Sequence, residues 1–147
     1  MSNDNHVILI VEDSDEDFYA ADRAFKNAGI ANNVYRCIDG EDALNYLYQR
    51  EKYTDSEIAP KPTLILLDLN LPKINGKNVL SEIKKNPALS QIPVVILTTS
   101  DNEMDIESCY ELGANSYIKK PVEFDDFMKV VKELKNYWLE IVLLPKK

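Results

Sequence analysis

Thr63-Leu-Ile-Leu-Leu-Asp-Leu-Asn-Leu-Pro72 is the stretch that decides the fold. Its run Thr63–Leu67 shows no polar alternation. A strand without a polar face is covered on both sides, as central strands of parallel sheets are. The run stops on a carboxylate, Asp68. Working outward, Val7–Val11 is a similar run and stops on Glu12-Asp13. Ile92–Leu97 is a third and stops on Thr98. Two further stretches, Asn33–Ile38 and Ser116–Ile118, carry polar residues in or beside them (Tyr35 and Arg36; Asn115 and Ser116), as edge strands do.

Helical stripes fill the intervals. Phe18, Ala21, Phe25 and Ala28 form the first, with Gly29 placed to end it. Ala43, Leu44, Leu47 and Tyr48 form the second. Val79, Leu80 and Ile83 form the third, stopped by Asn86-Pro87. Ile106, Cys109 and Tyr110 form the fourth, stopped by Gly113. Phe124, Phe127, Val131, Leu134 and Trp138 form the fifth. The order is β then α, repeated five times. This predicts an α/β, doubly wound (βα)5 fold with a five-stranded parallel sheet in the order 2-1-3-4-5. Asn75-Gly76 resembles a hairpin turn but lies between a strand and a helix, so it reads as the loop into the third helix. The 147 residues suit a single domain spanning 1–147, with a core of about 5–136. The polar loop Gln49–Pro62 reads as a surface insertion, and 137–147 as an apolar tail.

Charge narrows the function. Lys and Arg total 17 against 25 Asp and Glu, a net charge of −8. That excludes a broad nucleic-acid footprint and disfavours anionic membranes. The apolar runs are too short for a signal peptide or a span, so a soluble cytoplasmic protein is expected. Cys37 and Cys109 make neither a disulfide framework nor a CxxC site, and one histidine leaves zinc short of ligands.

Ligands of open parallel sheets bind beyond the carboxyl ends of the strands, at the switch in strand order. The residues falling there are Glu12, Asp13, Asp68, Thr98, Lys119 and Lys120. Each has an ordinary explanation: helix-cap acid, turn acid, turn hydroxyl, solvated lysine. Their placement together at one end of four strands is harder to dismiss. Crowded carboxylates repel unless a cation relieves them, and hard oxygen ligands suit Mg²⁺, which works with phosphates. A lysine and a threonine supply the positive charge and the donor that phosphoryl oxygens need, and a carboxylate can act as the nucleophile.

These residues resemble the receiver domain of two-component response regulators over nearly the whole chain. The matching pieces are Ile8-Leu-Ile-Val-Glu12-Asp13, Leu66-Leu-Asp68-Leu-Asn70-Leu-Pro72 with Gly76, Pro93-Val-Val-Ile-Leu-Thr98, Gly113-Ala114 and Tyr117-Ile-Lys-Lys120-Pro121. The resemblance implies a phosphoacceptor at Asp68. It implies Mg²⁺, or Mn²⁺ in its place, on Asp13, Asp68 and the Asn70 backbone carbonyl, with Glu12 holding the metal mainly through water. Lys120, which directly precedes the proline, would pair with the phosphoryl group, and Thr98 and Tyr117 would form the switch pair. A cis Lys120–Pro121 peptide is implied too. The function implied is a switch, not an enzyme. It would accept its phosphoryl group from a sensor histidine kinase, take part in its own phosphorylation and dephosphorylation, and signal through protein contacts without an attached effector domain.

Three rivals share parts of the pattern. The start Asp13-Ser-Asp15-Glu-Asp17 suggests a calcium loop, but Phe18 and Ala24 stand where glycine and glutamate are required. A flavodoxin-like electron carrier has the same strand order, but Glu12-Asp13-Ser14-Asp15 would repel a flavin phosphate. A Mg²⁺-dependent phosphohydrolase of haloacid dehalogenase type is the main alternative, although Asp17 stands where its motif has Thr or Val.

Tyr137-Trp138-Leu-Glu-Ile-Val-Leu-Leu144-Pro145 is more apolar than a last helical turn needs. It either folds back over the domain or makes a homodimer contact through Tyr137, Trp138, Ile141 and Leu143. With Asn136-Tyr-Trp138-Leu-Glu140, Val95-Ile-Leu-Thr98-Thr99-Ser100 and the long loop, the chain resembles the small single-domain regulators that partner bacterial phytochromes. That implies dimers and a phytochrome-type kinase.

Overall fold

The computed structural model describes residues 6–27, 29 and 33–144. Five strands form one parallel sheet in the order β2-β1-β3-β4-β5. They are β1 (Ile8–Val11), β2 (Val34–Cys37), β3 (Leu64–Leu67), β4 (Val94–Thr98) and β5 (Ser116–Lys119). The helices between and after them are α1 (Asp15–Asn27), α2 (Gly40–Leu47), α3 (Gly76–Lys85), α4 (Glu103–Glu111) and α5 (Phe124–Lys135). The expected order and topology are those observed. Gly29 (φ +92°) follows α1 and Gly113 (φ +109°) follows α4, in the left-handed region that glycine enters freely.

The sheet has two buried faces because its central strands are buried at every position and apolar at all but Thr98. Leu9, Val11, Ile65, Leu67, Val94 and Ile96 pack with α2, α3 and Cys109 of α4. Ile8, Ile10, Leu64, Leu66, Val95 and Leu97 pack with α1 and α5. Each fully buried aliphatic side chain contributes roughly 1.5–3 kcal/mol. Four helices start on side-chain caps: Ser14 accepts from the Asp17 N–H, Asp39 from Asp42, Asn75 from Asn78, and Asn102 from Met104 and Asp105. Asn75-Gly76 is therefore the entry to α3 and not a hairpin.

Two readings need correction. The Gln49–Pro62 segment is not merely a surface insertion. It contains a 3-10 turn, Glu51–Tyr53, and buries Tyr53 and Ala59 in the core. The Tyr46 hydroxyl donates to the Pro60 carbonyl (2.7 Å), Gln49 Nε2 to Ala59 O (3.1 Å), and the Tyr53 hydroxyl to Asp42 Oδ1 (2.6 Å). Two isolated apolar residues in a polar stretch carry no periodicity, which is why the pattern missed them. The second correction concerns Trp138. After α5 the chain continues as a π-helical segment, Asn136–Ile141, in which Trp138 and Leu139 are buried against the α1–α5 core. Trp138 sits four residues after Leu134 and extends the apolar stripe of α5, so it is unavailable to a partner. Tyr137, Ile141 and Leu143 are exposed at 53%, 68% and 95%. Ala28 and Pro145, named from the sequence, lie outside the described residues. Among the described residues, no helix is long and apolar enough to cross a membrane.

Candidate functional site

The register brings the expected residues together. Val11 of β1 lies beside Leu67 of β3, so Glu12 and Asp68 leave neighbouring strands at the same level. Thr98 ends β4, and the Lys120 N–H donates to its carbonyl (2.6 Å). Glu12, Asp68, Thr98 and Lys120 are buried, while Asp13 is exposed. Gly76 fits here for a steric reason. A Cβ at that position would lie 2.2 Å from the Asp68 carbonyl oxygen, so any side chain would push the β3–α3 loop off the site.

Lys120 Nζ stands at the centre. It donates to Glu12 Oε1 (2.6 Å), Asp17 Oδ2 (2.7 Å) and Asp68 Oδ2 (3.1 Å). Lys119, by contrast, is exposed and pairs with Asp101 (3.0 Å). Asp17 was not expected. It lies in the first turn of α1, four residues after Asp13, and its N–H donates to Ser14 Oγ (3.2 Å). The helical spacing Asp13–Asp17 was the available signal, since a helix starting at the site returns a side chain to it after one turn.

The electrostatics follow from burial. Desolvation pushes the Glu12 carboxyl up to about 7, with the charge of Asp68 adding to it, while Lys120 pulls it back. Burial works against the Lys120 ammonium as well. Its hydrogen bonds to Asp17 and Glu12 and the charges of Glu12 and Asp68 outweigh that and hold it above the ordinary lysine range. Three carboxylates thus face one ammonium, and a fourth, Asp13, lies within 4.8 Å of Glu12 and Asp68.

A divalent cation would suit this excess. Glu12, Asp13 and Asp68 each offer an oxygen, all within 4.8 Å of one another, and an all-oxygen donor set matches hard cations. The Asn70 N–H donates to Asp68 Oδ1 (3.3 Å), which sets the loop that carries the Asn70 carbonyl.

The switch candidates sit on one face of the sheet. Ile96 pairs with Tyr117, and Thr98 follows Ile96 by two residues. Among the described residues, Thr98 Oγ1 is a buried polar atom without a hydrogen-bond partner. Such a group costs about 1–3 kcal/mol, and its hydroxyl has a proton to donate. Tyr117 is half-buried, and its hydroxyl donates to the Ser100 carbonyl (3.0 Å). The Ser100 hydroxyl donates to Asp105 Oδ2 (2.7 Å), and Asp105 pairs with Lys77 (2.7 Å). A polar chain therefore runs from β5 through α4 to α3.

One implied feature is overturned. The Lys120–Pro121 peptide is trans, since the described residues contain no cis bond. Trans is the intrinsically favoured isomer even before proline, by about 0.5–1 kcal/mol, and Lys120 reaches its three carboxylates from it.

Comparisons with known proteins agree with this geometry. The family described as response regulator receiver domain matches residues 8–132. Response regulator Rcp1 of Synechocystis sp. is 46% identical over 144 residues, covering 98% of this chain and 96% of that protein. The crystal structure of the Mn²⁺-bound form of Rcp1 has a TM-score of 0.88 at 46% identity, covering 95% of this chain and 99% of that one. The phosphorylated cyanobacterial phytochrome response regulator RcpA has a TM-score of 0.90 at 40% identity, covering 96% and 99%.

Proposed function

The chain belongs to the response regulator receiver family, and from that premise we propose that Asp68 accepts a phosphoryl group from a sensor histidine kinase. The observation that carries this reading is the buried Asp68 carboxylate, with Lys120 Nζ 3.1 Å away and the unpartnered Thr98 hydroxyl at the end of the next strand. An Asp68 oxygen attacks phosphorus, the new P–O bond forms, and the P–N bond to the donor histidine breaks. Lys120 turns from carboxylate to phosphoryl oxygen, and the Thr98 hydroxyl donates to another. The phosphoryl group adds close to two negative charges, which is what these two donors answer.

Mg²⁺, or Mn²⁺ as in the Rcp1 structure, would be held by Asp13, Asp68 and the Asn70 carbonyl, with Glu12 mainly through water. When bound it neutralises charge on the transferring oxygens. The protein's own part in phosphorylation and dephosphorylation lies in these placed groups. It is a switch, and the haloacid dehalogenase alternative finds no support in the family match.

Output follows from Thr98. When its hydroxyl turns to the phosphoryl group, Tyr117 can leave the Ser100 carbonyl and release the polar chain to α4 and α3. The donor approaches past exposed Tyr19, Val122 and Phe124, which line a cleft together with Asp17 and Pro121. The phytochrome association named for RcpA supports a phytochrome-type kinase as the partner. Exposed Tyr137, Ile141 and Leu143 support a homodimer contact.

The test is mass spectrometry after incubation with a small phosphodonor and Mg²⁺. A gain of one phosphoryl mass is expected, absent in Asp68→Asn. A gain that survives Asp68→Asn would refute the assignment.

A further inference from the structure

Arg36 of β2 reaches across the sheet edge to the turn between β1 and α1. Nε and Nη2 donate to the Glu12 carbonyl oxygen (3.1 and 2.9 Å), and Nη1 pairs with Asp15 Oδ1 (2.9 Å). The guanidinium carbon lies 4.8 Å from the centre of the Phe18 ring. One planar group thus touches the residue before Asp13, the first residue of α1, and a ring further along α1. Arginine alone has the donors and the flat face for all three contacts. The contact to Asp15 is weak by itself, because that side chain is 92% exposed. The paired bonds to the Glu12 carbonyl are the substance of the clamp, since Arg36 is itself only 21% exposed.

The turn needs such a clamp. Its other tethers include the Glu12 N–H on the Cys37 carbonyl (3.0 Å), the Ser14 N–H on Glu12 Oε2 (3.1 Å) and the Lys120 ammonium on Glu12 Oε1 (2.6 Å). The second uses up a carboxylate oxygen that a cation would compete for. Asp13 is exposed, so packing does not fix it.

We propose that Arg36 is a positioning residue that holds Glu12 and Asp13 in the geometry a divalent cation requires. This rests on the metal reading given above. Arg36 is also a cation beside the site, so by charge alone its removal would tighten metal binding. A positioning role gives the opposite sign, and outer groups that orient ligands are worth about 10–100-fold in affinity.

The experiment is calorimetric titration of Mn²⁺ into wild type, Asp13→Asn, Arg36→Gln and Arg36→Lys, with circular dichroism of each metal-free protein to confirm folding. Arg36→Gln is expected to weaken binding about tenfold. Arg36→Lys, which keeps the charge but not the paired donors, is expected to fall between it and wild type. Phosphorylation should need correspondingly more metal for half-maximal rate, with the rate at saturating metal unchanged. Unchanged or tighter binding in Arg36→Gln, with wild type binding and Asp13→Asn not, overturns the clamp alone. If Arg36→Gln does not fold, Arg36→Lys decides, and wild-type affinity there overturns the proposal. A wild type that binds no Mn²⁺ overturns the metal reading and the clamp together.

Discussion

The acid end and the α4–β5 shoulder stand side by side on the carboxyl edge of one sheet, yet they are held by opposite means. Glu12, Asp68 and Lys120 are buried and joined by short charge-assisted bonds, and the two acids are mounted on strands that are buried at every position. The shoulder is thin. Helix α4 buries only Cys109, and β5 is half-buried or exposed throughout. Hydrogen bonds hold it instead: the Tyr117 hydroxyl donates to the Ser100 carbonyl, the Tyr117 N–H to the Tyr110 hydroxyl oxygen, and the Ser100 hydroxyl to Asp105. Apolar burial is lost all at once, whereas exposed polar contacts exchange with water at little net cost. The difference separates a fixed chemical site from a neighbour that can be rearranged by a modest change in charge.

Breaking the fixed side should have the largest effects. Leu67→Ala, beneath Asp68, is expected to lower stability by about 2–5 kcal/mol in urea unfolding. On the movable side, Tyr117→Phe should cost about 0.5–1.5 kcal/mol, the net worth of one hydrogen bond. Similar losses at the two positions would erase the contrast.

Charge sharpens it further. Asp13→Asn removes one of the crowded carboxylates. It should raise the melting temperature of the metal-free protein while abolishing stabilisation by Mg²⁺, seen by thermal unfolding with chelator or with Mg²⁺. Lower stability in both conditions would mean that the acids are not in conflict.

The smallest effect is one of pH. Burial moves Glu12 from 4.5 to about 7, so the folded state binds its proton more tightly than the unfolded chain does. The stabilisation is complete below about 4.5 and is lost as pH rises through about 7. Metal-free wild type should therefore lose stability over that window, and Glu12→Gln should lose less. Equal slopes in urea titrations of the two proteins would remove Glu12 as the cause.

The sequence was most legible where burial and period coincide. Leu64–Leu67 and Ile8–Val11 are apolar throughout, so their place in the sheet and the acids at their ends could be read directly. Asp17 is harder to read: its spacing from Asp13 is the one local sign, and its partner, Lys120, is 103 residues away. Tyr53 and Ala59 were hidden because single buried residues in a loop have no period to detect. Trp138 reads both as the end of the α5 stripe and as a surface contact, since an apolar residue at the end of a helix suits either, and packing selects the stripe.

The backbone crossing beneath Asp68 sets where this chain can change length. A Cβ on Gly40 would fall 1.7 Å from the Ile74 carbonyl oxygen, and one on Gly76 2.2 Å from that of Asp68. Between those two pinch points, Lys73 already takes a left-handed conformation (φ +69°). Residues 69–75 therefore form a bridge of fixed span, where one inserted residue would displace Asn70 and the site with it. The 49–62 segment also holds left-handed residues, Gln49 and Glu51 (φ +56° each), but it meets its neighbours through side chains and carbonyls. Insertions and deletions among relatives should gather in 49–62 and spare 69–75, a pattern imposed by two glycines and not by the chemistry they surround.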